Sequence, residues 1–365
     1  MEKQARHRLY HIDLLRFIAA LYVVFYHYGF RGFAKDDMSV VHYPPLEGFS
    51  KYGYLGVDLF FIISGFVILM TAKNSNIVDF CISRLSRLYP AYWVGVALTT
   101  IVVVFFGGER FSVSTGQVAF NLTMLNGFFE IPYVDGVYWS LLVELKFYII
   151  IGIILLFNKI RFIKVISYLL LGIAVLQLVL PFGEAPLPLK LLYYFTFPRW
   201  SSYFIAGMFF YLIKSEKKLG YYVLPIIACY LISIQYAFLK ADHYNVMYNG
   251  IFSYTTVAIL ITVFYSFMFL VSLGKLQFLN KKIFLSLGVL TYPLYLIHQN
   301  IGFIALNNLN PFFNKWVLLF LLIVAMLGAS FLISKYIEKP FGNYIRQSLK
   351  RNTTLVNLKS KLKPQ

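Results

Sequence analysis

Apolar runs long enough to cross a lipid bilayer recur along the whole chain, and this feature constrains the fold more than any other. A helix rises about 1.5 Å per residue, so roughly 20 apolar residues span the hydrocarbon core. Such runs fall at 12–30, 53–72, 88–106, 137–157, 162–182, 192–213, 221–239, 251–273, 283–305 and 314–337. They predict an all-α fold, a polytopic membrane helix bundle of about ten transmembrane helices. Composition agrees: 59% of residues are hydrophobic and 13% charged, where a soluble chain carries roughly a quarter charged residues. The stretch 117–129 (QVAFNLTMLNGFF) is apolar but too short to cross, and reads as an interfacial or re-entrant helix.

Basic residues orient the bundle. The chain holds 33 Lys and Arg against 15 Asp and Glu, a net charge of +18. Most of these cations sit in short segments on one side, beginning with Lys3, Arg6 and Arg8 and recurring as Lys159, Arg161 and Lys164 or Lys275, Lys281 and Lys282. The opposite segments hold roughly a third as many, among them Arg31, Lys51, Arg110, Lys240 and Lys315. The bias predicts that both termini are cytoplasmic, in a multi-pass protein of the cell membrane. It also removes the nucleic-acid partner that a soluble chain of this charge would suggest. Residues 1–341 read as one transmembrane domain, and 342–365 as a short basic cytoplasmic tail lying along the anionic inner surface. The start reads as a true first span and not as a cleaved signal, because Asp13 and Arg16 interrupt it and no small-residue cleavage site follows. Cys81 and Cys229 make neither a disulfide framework nor a metal site.

Charges inside spans are costly unless paired or hydrated. By position, His27, Asp58, Glu144, Arg199 and His298 each lie roughly 5–11 Å below the outer boundary of a different span. That common depth predicts one shared hydrated cavity. Taken singly, each has a plainer reading: a histidine bonded to a neighbouring helix, Asp58 as an interfacial cap after Gly53 and Gly56, Arg199 on carbonyls freed by Pro198. Lys146, two residues after Glu144, points to another face and reads as one half of a structural pair. Arg16 and His27 are eleven residues apart, close to three turns, and share one face about 16 Å apart along the axis. Asp13 is placed to hold Arg16. Arg84 and Arg87, three apart at the inner start of a span, read either as a positive-inside flank or as a phosphate clamp assisted by the helix N-terminus.

At these residues the chain resembles the acyltransferase 3 family of membrane O-acyltransferases. The resemblance runs through IDLLRFIAALYVVFYH with Arg16 and His27, GYLGVDLFFIISGFVI from Gly53 to Ile68, and FCISRLSRLYPAYW with Arg84, Arg87 and Pro90. It continues in VYWSLLVELKFY with Ser140, Leu141 and Glu144, then in TYPLYLIHQN and YIEKPF with His298, Glu338 and Pro340. Thr291 stands where serine is more usual. No extracytoplasmic hydrolase-like domain is appended, so transfer is expected to finish in the membrane domain or on a separate partner.

The resemblance implies an enzyme that moves an acyl group, usually acetyl, from cytoplasmic acyl-CoA to a hydroxyl of an extracytoplasmic glycan such as exopolysaccharide or O-antigen. Acetyl-CoA is then a substrate, with no permanently bound cofactor; the other partners are the glycan acceptor and membrane lipids. Arg84 and Arg87 would meet the CoA phosphates and Arg16 the pantetheine arm. His27 would act as general base or carry the acyl group transiently, with Glu144 orienting it. Asp58, Ser140, Arg199 and His298 are candidates for substrate contact. The rival expectation from ten spans and a polar midsection is a transporter or flippase of a lipid-linked sugar.

Overall fold

The computed structural model describes residues 9–250 and 252–361. Lys3, Arg6 and Arg8, the expected first residue of one span (Ile251) and the last four residues of the tail lie outside that range. The described chain is all-helical, and the fold class read from the apolar runs holds.

Eight helical segments among the described residues are long and apolar enough to cross a membrane. They contain α1 (Tyr10–Tyr26), α2 (Gly56–Ala72), α3 (Ile77–Phe106), α4 (Trp139–Leu156) and α5 (Ile163–Val179). After α6 (Pro198–Glu216) come α7 (Leu219–Met247) and α8 (Tyr254–Ser272). The pair α9 (Phe284–Ile297) and α10 (Gln299–Leu309) forms a ninth span broken by a 69° bend, and α11 (Lys315–Ile333) closes the bundle. The helix α12 (Lys339–Arg351) continues beyond a π-helical turn at Ser334–Glu338.

The tenth expected span, 192–213, is the exception. Its helix is α6, whose 19 residues carry Arg199, Lys214 and Glu216. It is not apolar enough to count as a lipid-facing span, and the reason is packing. Pro198, every residue from Ser201 to Phe210, Leu212 and Ile213 are buried inside the protein. A helix sheathed by other helices has no need of a lipophilic outer face. Close backbone approach to α2 makes this central position possible: Gly65 and Gly207 sit where any side chain would strike the opposite helix.

The segment 117–129 folds as a short helix, Thr115–Asn121, and a 3-10 turn, Asn126–Phe128. Tyr89, Tyr92 and Trp93, near the middle of α3, donate hydrogen bonds to the carbonyls of Thr123, Asn121 and Leu122. The segment therefore doubles back to the mid-depth of a spanning helix, as a re-entrant loop does, with its backbone satisfied by protein.

Candidate active site

The five residues expected at one depth separate into three groups. His27 and His298 touch, Glu144 joins the arginines, and Asp58 and Arg199 lie near each other.

Both histidines sit where helical hydrogen bonding is irregular. His27 opens a π-helical turn, His27–Arg31, at the end of α1. His298 is the residue at the bend between α9 and α10. Such breaks leave backbone groups available to side chains and recur at functional sites. His298 Nε2 lies 3.1 Å from His27 Nδ1. His27 Nδ1 lies 2.9 Å from the Val23 carbonyl. Tyr28 braces the two irregular segments by donating to the His298 carbonyl at 2.6 Å. Both imidazoles are buried, His298 completely. His27 is thus enclosed by protein and does not face lipid.

The arginines line a cleft. Arg16 from α1, Arg84 and Arg87 from α3, and Glu144 from α4 face one another across it, with Ser140, Tyr148 and Tyr295 completing the polar wall. Glu144 accepts hydrogen bonds from Ser64 and, at 2.5 Å, from Tyr148. Its expected partnership with His27 does not form; the histidine's hydrogen-bonding neighbours are Val23, His298 and Gln299. Glu144 instead lies in the electrostatic surroundings of Arg16 and Arg84. Ser64 and Tyr148 were not singled out from the sequence. Tyr148 had a usable signal, being one turn from Glu144 on the same face.

Arg84 is buried, yet its Nε and Nη1 have no hydrogen-bond partner. Its remaining nitrogen, Nη2, donates to Ser83 at 3.1 Å, and the guanidinium carbon lies 5.8 Å from the ring centres of Phe80 and Tyr148. The expectation that a helix N-terminus assists the clamp is corrected: α3 starts at Ile77 with Asn76 as its cap, so Arg84 and Arg87 lie two or more turns inside. At that distance the dipole contribution has faded. Glu338, at the end of the π-helical turn after α11, faces Arg16 and Arg87, and its Oε2 also lacks a partner.

The cleft stops at Ser140 and Tyr295. Their hydroxyls are 2.6 Å apart, and the Tyr295 ring centre is 5.7 Å from that of His298. His27 is not part of the cleft wall; the tyrosine ring stands between the arginines and the histidine pair.

The third group joins α2, α6 and α7. Asp58 is buried and feels the charges of Lys240 and Arg199. Lys240, expected in an outer loop, is instead buried on α7, 4.5 Å from the Tyr54 ring centre and 6.0 Å from that of Trp139. The α7 helix runs farther than the apolar stretch 221–239 because aromatic faces shelter the ammonium. Lys146, expected as one half of a structural pair, donates instead to the Tyr194 backbone carbonyl at 2.8 Å, with its Nζ 3.6 Å from the Tyr194 ring centre.

Among the described residues no cluster of His, Cys, Asp and Glu is arranged to hold a metal ion. The Bacillus subtilis protein YrhL, whose name proposes a peptidoglycan O-acetyltransferase, is 29% identical over 384 residues, covering 91% of this chain and 57% of YrhL. The peptidoglycan O-acetyltransferase OatA of Listeria monocytogenes is 29% identical over 158 residues, 38% of this chain and 23% of OatA. Nodulation protein 10 of Rhizobium leguminosarum bv. viciae is 29% identical over 169 residues, 39% of this chain and 43% of the relative. The chain thus spans little more than half the length of YrhL and less of the other two. No solved structure matches it. Residues 9–335, nearly the whole bundle with both histidines and all three cleft arginines, match the family described as an acyltransferase domain, and the chain belongs to this acyltransferase 3 family.

Proposed function

We propose that the chain is a membrane O-acetyltransferase that takes an acetyl group from acetyl-CoA at the arginine cleft and delivers it to a hydroxyl of a glycan on the opposite side of a bacterial inner membrane. The excess of loop cations toward the arginine end of the bundle supports a cytoplasmic position for that end and for both termini. The names of YrhL and OatA favour peptidoglycan as the acceptor; exopolysaccharide and O-antigen share the same hydroxyl chemistry.

One observation carries this reading: a buried guanidinium with two unpartnered nitrogens, beside two further arginines, in a cleft that ends one tyrosine ring short of a histidine pair. A buried donor without a partner costs about 1–3 kcal/mol and more when charged. A bundle with no anion to bind would gain stability by losing it. Phosphates accept from guanidinium groups in paired, charge-assisted bonds, and CoA carries several. The thioester on its pantetheine arm would reach Tyr295 and Ser140, and entry to His27 requires the Tyr295 ring to turn aside. Glu144, held by Ser64 and Tyr148, balances the arginines between turnovers. Asp58, Lys240 and Arg199 lie on the acceptor side.

In the reaction the acceptor hydroxyl loses its proton to His27 as its oxygen bonds to the thioester carbonyl carbon. The carbon–sulfur bond breaks, and the proton passes to the leaving sulfur. The products are an O-acetyl ester and free CoA. General-base assistance of this kind contributes roughly 10²–10⁴ in rate.

The test is purified protein in liposomes with labelled acetyl-CoA and a soluble glycan fragment. Thioester consumption and ester formation are expected, both lost in His27→Ala with its elution profile unchanged. Translocation of a lipid-linked sugar with no loss of thioester would establish the flippase reading instead.

A further inference from the structure

The contacts around the two histidines determine where their protons sit. Backbone carbonyls only accept hydrogen bonds. His298 Nδ1 lies 2.9 Å from the Tyr295 carbonyl and 3.2 Å from that of Leu294, so it carries a proton and donates it. These carbonyls belong to the last turn of α9, where the break before α10 leaves helix-end acceptors to be satisfied. A neutral imidazole with Nδ1 protonated presents a lone pair at Nε2. That lone pair points to His27 Nδ1, 3.1 Å away. His27 Nδ1 is also 2.9 Å from the Val23 carbonyl, so it too carries a proton, shared between an oxygen and a nitrogen acceptor. A second proton on His298 would set one N–H against another at this distance. His298 is therefore neutral; the buried His27 ring is kept neutral by the cost of burying an unpaired charge, and with its proton on Nδ1 the lone pair is on Nε2.

We infer that His298 is a positioning residue that fixes the tautomer of His27 and leaves His27 Nε2 as the reactive lone pair. The inference rests on the reading of His27 as the reacting group. A bent helix supplies two carbonyls, the carbonyls set His298, and His298 sets His27. An imidazole thus takes the orienting place that a carboxylate commonly fills, and that the sequence suggested for Glu144. When His27 accepts the hydroxyl proton, its new charge is shared with the Val23 carbonyl and the His298 lone pair. A neutral partner stabilises that cation less than a carboxylate would, so the proton leaves readily toward the thiolate.

The experiment pairs His298→Gln with His298→Met, two side chains of similar reach. Glutamine keeps an N–H for the carbonyls and an oxygen for His27; methionine keeps neither. Each protein is labelled with ¹⁵N-histidine in lipid, and the His27 signals are assigned by their absence in His27→Ala. The wild type and His298→Gln are expected to show His27 protonated at Nδ1, and His298→Met a mixture of both tautomers. The kcat of His298→Met should fall about a hundredfold, with KM for acetyl-CoA within about twofold of wild type. His298→Gln should stay within about tenfold in kcat. A wild-type His27 protonated at Nε2, or equal kcat in the two variants, overturns the inference. If His298→Met does not fold, the spectra of the wild type and His298→Gln decide the question alone. A fixed tautomer in a protein that consumes no thioester would sink the acetyltransferase reading and leave the tautomer assignment standing.

Discussion

Gly65 of α2 lies against the Phe204 carbonyl of α6, and one turn along α6 Gly207 lies against the Ile62 carbonyl of α2. The two backbones touch with no side chain between them. Such contact is favourable in lipid because it maximises packing where no hydrophobic drive separates helix from solvent. Gly207→Val would place three carbons where a backbone oxygen stands, and overpacking of this kind costs about 1–3 kcal/mol or more. A lowered Tm in detergent is expected for Gly207→Val, and a smaller drop for Gly65→Ala. Unchanged melting would show that α6 is not the packed centre of the bundle.

Arg84 sets stability against function. Its two unpartnered nitrogens are a standing cost to the fold, so a neutral side chain of similar length should relieve it. Arg84→Met is expected to raise Tm while raising KM for acetyl-CoA. With Arg87→Ala added, KM for the donor should rise further, about tenfold or more per lost phosphate contact at 1.5–3 kcal/mol each, with acceptor use little changed. A variant that melts lower and binds donor normally would make Arg84 a structural residue.

Asp135 holds the broken span in place. Its Oδ2 accepts from the Asn300 backbone N–H at 2.9 Å and its Oδ1 from that of Val137 at 3.1 Å. Asn300 Nδ2 returns a bond to the Val134 carbonyl at 2.9 Å. The first turn of α10, and so the bend that carries His298, is tied to the entry of α4. Asp135→Ala leaves one buried and one part-buried donor unpaired, at about 1–3 kcal/mol for the buried one. It should lower both Tm and kcat, with Asp135→Asn between it and the wild type. Normal turnover in the alanine variant would show that the bend is fixed by other contacts.

The sequence revealed the bundle because lipid imposes the same long apolar helix on every exposed span. It was less informative for α6, which the protein itself encloses, so that hydropathy no longer records its position. Arg16, Arg84, Arg87 and Glu144 could be found as charges in apolar surroundings, and the structure brings them to one cleft. The pairing of His27 with His298 could not be read, because depth along a helix gives height and not azimuth: Glu144 stood at a similar estimated height but faces the arginines. Lys240 was hidden for another reason. Its shelter is Tyr244, one turn along the same helix, with Tyr54 and Trp139 from two other segments, and no local pattern announces the last two.

Asp58 and Lys240 give the last prediction. Both are buried, and Asp58 lies in the field of Lys240 first and Arg199 second. Removing one of two opposite buried charges leaves the other less compensated, whereas removing both is often neutral. Lys240→Met alone should therefore lower Tm sharply, as should Asp58→Asn alone. The double variant should recover most of the loss, a coupling that a double-mutant cycle measures directly. Activity should separate the structural role from the acceptor role: a double variant that melts like the wild type but shows a raised KM for the glycan, with donor KM unchanged, places the pair on the acceptor path. Recovery of both Tm and acceptor KM would make it a structural pair, and strictly additive losses of Tm would show that the two charges do not interact.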